Sequence, residues 1–174
     1  KTTKSFVLGA KNIRQPLLNG AIASLKVYDH ALTEQEIKIS YQQPDQSAIA
    51  VYLDAAKLDY GSLDKWKNEG NAAGYFLTKG ESPVVKDIGG KIALQFSGKE
   101  ALMSDSLLSA NMQKLNQYSI AIGIYTSAPE STGTLLSWSA NKNGRLIVDE
   151  KITKNKWSFI IQTYDGKTID TYIN

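Results

Sequence analysis

The sequence predicts an all-β protein, a sandwich or jelly roll of antiparallel sheets with one short helix over about residues 33–41. Three observations lead there. Short apolar runs alternate with period two along much of the chain, as strands with one buried face do. Asn-Gly and Asp-Gly pairs stand between such runs, where they supply the positive φ angles of tight hairpins. One segment alone carries a full helix-start signal, which argues against a βαβ architecture. With 174 residues, 42% apolar and 21% charged, the chain fits one globular domain hiding roughly 70% of its unfolded surface.

The elements follow in order. Residues 5–9 and 21–28 are the first strands, separated by a loop with Gly, Asn and Pro. In the second, Ala23, Leu25 and Val27 alternate with Ser24 and Lys26, so the first three are expected on the core face. The helix comes next. Thr33 and Glu36 form a capping pair, in which each side chain satisfies an orphan amide of the first turn. Ile37 and Tyr41 fall on one face of its two turns. Residues 42–48 read as a linker around Pro44 and Asp45.

Beyond the linker, residues 49–53 form a strand, and 54–74 are rich in turns around Trp66. Residues 92–96 alternate Ile92, Leu94 and Phe96 against Ala93 and Gln95. Residues 106–115 have room for a turn of helix. In 118–125, Ile120, Ile122 and Ile124 share one face, with Ser119, Ala121, Gly123 and Tyr125 on the other. Two hairpins close the series: 134–139 with 145–149 through Asn143-Gly144, and 157–164 with 167–173 through Asp165-Gly166.

Composition excludes several function classes. Cysteine is absent, so disulfides, thiolate chemistry and Cys-based zinc sites are ruled out. The net charge of +3 comes from eighteen scattered lysines and two arginines, Arg14 and Arg145. A nucleic-acid binder would show a basic stripe and more arginine, so no nucleic acid is expected as a partner. The longest apolar stretch, 118–125, is far too short to span a bilayer, and no membrane insertion is expected. None of the ten asparagines sits in an Asn-x-Ser/Thr sequon, which points to a bacterial source.

Several segments resemble the laminin-G-like, concanavalin A-like lectin and glucanase superfamily. Residues 20–37 (GAIASLKVYDHALTEQEI) resemble its closing strand, Tyr-Asp dipeptide and helix start. Residues 156–166 (KWSFIIQTYDG) are similar to its central hairpin, and 171–174 (TYIN) to the strand that follows. Residues 90–98 (GKIALQFSG) resemble an early strand that usually ends Phe-Asp-Gly, with Ser97 here in place of Asp. Residues 118–126 resemble the next strand, with Gly123 where tryptophan is common. The resemblance implies a concanavalin A-like jelly roll whose segments run in circularly permuted order. Residues 1–41 supply the closing strands and helix, and 49–174 the opening and middle strands. One domain over 1–174 is therefore expected. The alternative is the end of one repeat (1–41) followed by most of the next (49–174). Two part-domains would leave cores open and strand edges unpaired, which favours the single sandwich. A dimer exchanging residues 1–41 between protomers is its structural rival.

Catalysis finds little support. The superfamily's glycosidases carry a Glu-x-Asp-x-x-Glu strand whose carboxylates share one cleft, and this chain has no such run. Asp149 and Glu150 are adjacent and project to opposite faces. His30, the single histidine, stands beside Asp29 without a Gly-x-Ser-x-Gly elbow. Gly89-Gly90-Lys91 is not a phosphate loop, since Val85 and Ile92 break the pattern. No cofactor is expected other than calcium, which such sandwiches hold with carboxylates and loop carbonyls. Its candidates are Asp29, Asp54 and Asp59, with Asp64 continuing the five-residue spacing.

Sugar binding needs exposed rings beside hydrogen-bonding groups. Trp66, in a Trp-x-Asn-x-Gly pattern, and Trp157, at a strand start, are expected in the core. Trp138, Tyr125 and Tyr75 are the candidate ligand-binding residues; Tyr125 shares its face with small residues and could line a concave surface. The expected function is that of a non-catalytic, extracellular or cell-surface module within a larger multidomain protein, binding a glycan or other surface partner. The alternatives are a structural or adhesive spacer without a sugar ligand and, as a minor one, a glycoside hydrolase accessory or catalytic domain.

Overall fold

The computed structural model describes residues 5–12, 15–16, 18–40, 46–127, 133–137, 145–148 and 152–173. The strands are β1 (Val7–Leu8), β2 (Ala10–Asn12), β3 (Gln15–Pro16), β4 (Asn19–Tyr28) and β5 (Ile49–Asp54), then β6 (Gly61–Ser62), β7 (Lys65–Lys67) and β8 (Tyr75–Gly80). There follow β9 (Val84–Ile88), β10 (Lys91–Ser97), β11 (Glu100–Ser104), β12 (Tyr118–Thr126), β13 (Gly133–Ser137), β14 (Arg145–Val148), β15 (Trp157–Tyr164) and β16 (Ile169–Ile173). They form two antiparallel sheets and a small β2–β3 ribbon. One sheet is ordered β14-β13-β1-β11-β8-β7, the other β16-β15-β12-β4-β10-β9-β6, with β5 also paired to β4. The architecture is an all-β sandwich, as the alternation predicts.

Strand β4 is the keystone of the larger sheet. One edge pairs with β12 along almost its whole length; the other meets β10 over residues 19–22 and β5 over 24–28. The register against β12 shifts between Gly123 and Ile124, where Ala23 is the extra residue. This bulge corrects the expected face of Ala23. Ile22, Leu25 and Val27 enter the core, while Ala23 stands with Ser24 on the outward face. Strict alternation cannot anticipate it, because a bulge adds one residue to one strand only.

The inward faces interdigitate as one core. Phe6, Leu8, Ile22 and Leu25 pack in the same cluster as Trp66, Phe96, Ile122 and Ile160, so residues before and after 42–48 share it. Trp66 is 2% exposed, in the core as expected. The next residues of its pattern explain why the pattern exists. Asn68 is buried; its Oδ1 accepts from the amides of Tyr52 (2.8 Å) and Gly70 (2.9 Å). Its Nδ2 donates to the carbonyls of Ala50 (3.0 Å) and Ala73 (3.2 Å). The amide side chain thereby sews β5 to the loop after β7. The chain changes sheet between β10 and β11, where Ser97 occupies the expected Asp position. There the Glu100 carboxylate accepts from the Ser97 amide and hydroxyl, each at 2.7 Å, and from the Lys99 amide at 3.1 Å. Burial acts to raise the Glu100 pKa, but these hydrogen bonds prevail and hold it below the usual range.

Helix α1 (Glu34–Ser40) starts at the expected capping pair. The Thr33 amide donates to Glu36 Oε2 at 2.8 Å, and the Glu36 amide to Thr33 Oγ1 at 3.3 Å. A second helix, α2 (Ser106–Met112), forms where 106–115 have room for a turn and adds to the one short helix of the expected fold: Asp105 caps it through the Leu108 amide, and Leu108 and Met112 enter the core. The β15–β16 connection is also corrected. Tyr164 pairs with Ile169, so residues 165–168 form a four-residue loop, not a two-residue primed turn. Asp165 organises it by accepting from the amides of Lys167 (2.8 Å) and Thr168 (2.7 Å). Strands β13 and β14 pair as expected; the Asn143-Gly144 turn, Asp149, Glu150, Tyr41 and residues 42–45 lie outside the described residues, and Gln46–Ala48 is a 3-10 turn.

Candidate functional site

The outward face of the larger sheet is the candidate site. Its geometry follows from alternation along β12, where Ile120, Ile122 and Ile124 point into the core and Ala121, Gly123 and Tyr125 point away. Register places Phe159 opposite Gly123 and Trp157 opposite Tyr125 on β15, and Ser24 opposite Gly123 on β4. A Cβ added to Gly123 would lie 3.5 Å from Ser24 Oγ, 3.9 Å from the Ala23 Cβ and 3.9 Å from Phe159 Cδ2. Ala23, Ser24 and Gly123 therefore make a low floor with an aromatic border.

At one end of this floor stand Tyr125 and Trp157, their ring centroids 5.6 Å apart and tilted by 58°. Both are half-buried. The placement corrects the core assignment of Trp157, whose strand position falls on the outward parity once its register with Tyr125 is known. The β9–β10 hairpin supports the pair. Its Gly89–Gly90 turn has φ of +58° and +80°, the left-handed values that a two-residue primed turn needs. Trp157 Nε1 donates to the Ile88 carbonyl at 2.9 Å, which fixes the indole against this turn. This hairpin is missing from the sequence-based expectations, where Gly89-Gly90 counts only as no phosphate loop; a Gly-Gly pair before the alternating run 92–96 is the signal that could have found it.

At the other end the face is covered. Tyr28, Leu32, Ile37, Ile49, Ala121 and Ile161 cluster there, so α1 and its entry close the surface. The Ser119 hydroxyl ties that entry down by accepting from the Leu32 amide at 2.8 Å and donating to the His30 carbonyl at 3.0 Å. His30 is a pin in the same connection: Nδ1 lies 3.0 Å from Asp29 Oδ1 and Nε2 3.3 Å from Glu36 Oε1. Its pKa is raised, first by the hydrogen bond to Asp29 and further by Glu36, against the cost of burial. The charged imidazole thus contributes stability that is present below the ordinary 6.5 and lost as pH rises through the raised folded value. With one histidine in the chain, its proton NMR titration reads this directly. A midpoint above 6.5 is expected; one at or below it would show that the carboxylates do not hold the ring.

The other sequence candidates are dispersed. Tyr75 stands on the outward side of the smaller sheet, next to inward Phe76, with Lys65 Nζ 4.4 Å from its ring centroid. Tyr75 and Tyr125 therefore cannot serve one site. Trp138 lies outside the described residues. Asp54 caps the 3-10 turn Ala55–Lys57, accepting from the Ala56 amide at 3.0 Å and the Tyr52 hydroxyl at 3.1 Å. Asp29 engages His30, Asp64 accepts from Ser82 Oγ at 3.1 Å, and Asp59 is exposed. Among the described residues, no three His, Cys, Asp or Glu side chains gather as metal ligands would. Searches of protein-family models, curated proteins and solved structures found no match to this chain.

Proposed function

We propose that this protein is a non-catalytic carbohydrate-binding module that holds its ligand on the outward face of the larger sheet. One observation carries the reading: half-buried Tyr125, Trp157 and Phe159 border a floor of Ala23, Ser24 and Gly123. A sugar ring needs both features. Its C–H face packs on an aromatic ring while its hydroxyls take hydrogen bonds from neighbouring polar groups. Ser24 and Gln95 supply such groups, Gln95 being opposite Ala21, which is opposite Tyr125.

The reading includes a concanavalin A-like, laminin-G-like jelly roll in permuted order, from a bacterial extracellular or cell-surface protein with further modules. Its support is the sequence resemblance, together with the central place of β4 between β12 on one side and β10 and β5 on the other. Glycan arrays and polysaccharide pull-downs test the function. Trp157→Ala and Tyr125→Ala should each weaken binding roughly tenfold, the scale of one lost aromatic contact. Tyr75→Ala, on the other sheet, should leave it unchanged. A folded wild-type chain that retains no glycan would favour the structural or adhesive spacer.

A further inference from the structure

We propose that the glycan held on this face is a uronic-acid polysaccharide, and that Lys26 receives its carboxylate. This rests on the carbohydrate reading above and deepens it. Lys26 sits inside the larger sheet, on β4, opposite Ala121 of β12 and Tyr52 of β5. Its side chain is half-buried on the outward face, with Nζ 5.5 Å from the centroid of the Tyr52 ring. Lysine is uncommon at such a position, because a partly desolvated ammonium needs a partner.

Two charged groups lie near it, and neither forms an ion pair with it. Asp54, the carboxylate that acts on Lys26, accepts from the Ala56 amide through Oδ1 and the Tyr52 hydroxyl through Oδ2. Lys57 also approaches the Tyr52 ring, at 4.9 Å, but its ammonium is paired with Glu69 Oε2. Among the described residues no hydrogen bond or ion pair engages the Lys26 ammonium. Burial lowers its pKa against the pull of Asp54, as expected for a cation short of partners.

Position selects the ligand. Along the outward face of β4, Lys26 follows Ser24 of the floor by two residues, about 7 Å, at the margin of the part that α1 covers. An extended polysaccharide stacked on Trp157 and crossing the Ser24–Gly123 floor would bring a later ring over Lys26. A neutral sugar leaves that ammonium with only the Tyr52 ring and the pull of Asp54; a uronate carboxylate supplies a charge-assisted hydrogen bond.

Calorimetry on the 174-residue chain tests this with polygalacturonate and alginate against neutral galactan and mannan. The expected result is binding to a uronate polymer at least about tenfold tighter than to the neutral ones, the scale of one charged hydrogen bond. Lys26→Met, which keeps the apolar stem and should fold, is expected to abolish that preference. Lys26→Arg should restore part of it, and Lys79→Gln, on the smaller sheet, should keep all of it. Equal binding of neutral polymers, or a preference that survives Lys26→Met, would overturn the assignment to Lys26 while leaving the carbohydrate reading intact. Equal loss in Lys79→Gln would also overturn it, because general surface charge would then be the cause. Failure of the folded chain to bind any of the polymers would overturn both.

Discussion

Asn68→Ala is expected to lower the unfolding free energy by about 3–5 kcal/mol, since several buried polar groups lose their partners at once. The amides of Tyr52 and Gly70 lose their common acceptor, and the carbonyls of Ala50 and Ala73 lose a donor. Water cannot readily replace the side chain, because Asn68 is 3% exposed. Gly70 adds to the constraint: a Cβ there would lie 2.5 Å from the Ala50 carbonyl oxygen, so the loop approaches β5 more closely than any other residue permits. Urea denaturation of wild type and variant measures the effect. A loss below about 1 kcal/mol would mean that the loop is not sewn to β5 as described.

Gly20→Ala should cost about 3 kcal/mol or more, at the upper end of overpacking penalties, because the obstacle is backbone. Gly20 lies between Phe96 of β10 and Thr126 of β12. A Cβ there would fall 2.1 Å from the Tyr125 carbonyl oxygen and 3.1 Å from the Thr126 Cα. Relief requires β4 and β12 to separate at the residue that carries a candidate binding ring, so stability and glycan binding should fall together. Gly123→Ala is the counterpart. Its nearest neighbour is Ser24 Oγ at 3.5 Å, an ordinary contact, so stability should stay within about 0.5 kcal/mol. Thermal melts of both variants distinguish the two situations; a Gly20→Ala protein as stable as Gly123→Ala would contradict the close approach of the strands.

The two candidate binding rings show how far local pattern reaches. Tyr125 was legible because β12 alternates without interruption: three isoleucines mark one face and leave Tyr125 on the other. Trp157 was not, because its own strand reads Trp-Ser-Phe-Ile-Ile-Gln-Thr-Tyr, with apolar residues on both parities. Only its pairing with Tyr125 and the hydrogen bond to Ile88 place it outward. Asn68 lay within a recognised pattern, yet its role depends on carbonyls and amides up to 18 residues away. Lys26 read as one surface lysine among eighteen until the register set it beside Tyr52 and Ala121.

What the sequence determined by itself is whatever neighbours along the chain decide. The all-β class, most strands, the Thr33–Glu36 cap and the inward faces of β10 and β12 all follow from periodicity and short-range hydrogen bonds. What the tertiary structure alone decided is whatever depends on partners distant in sequence: the bulge at Ala23, the pairing of β4 with β12, β10 and β5 residue by residue, and the outward aromatic face beside Lys26. Strand pairing is a long-range contact, and a shift of one residue turns every following side chain to the other face. No local signal can determine that choice; the packed core of both sheets does.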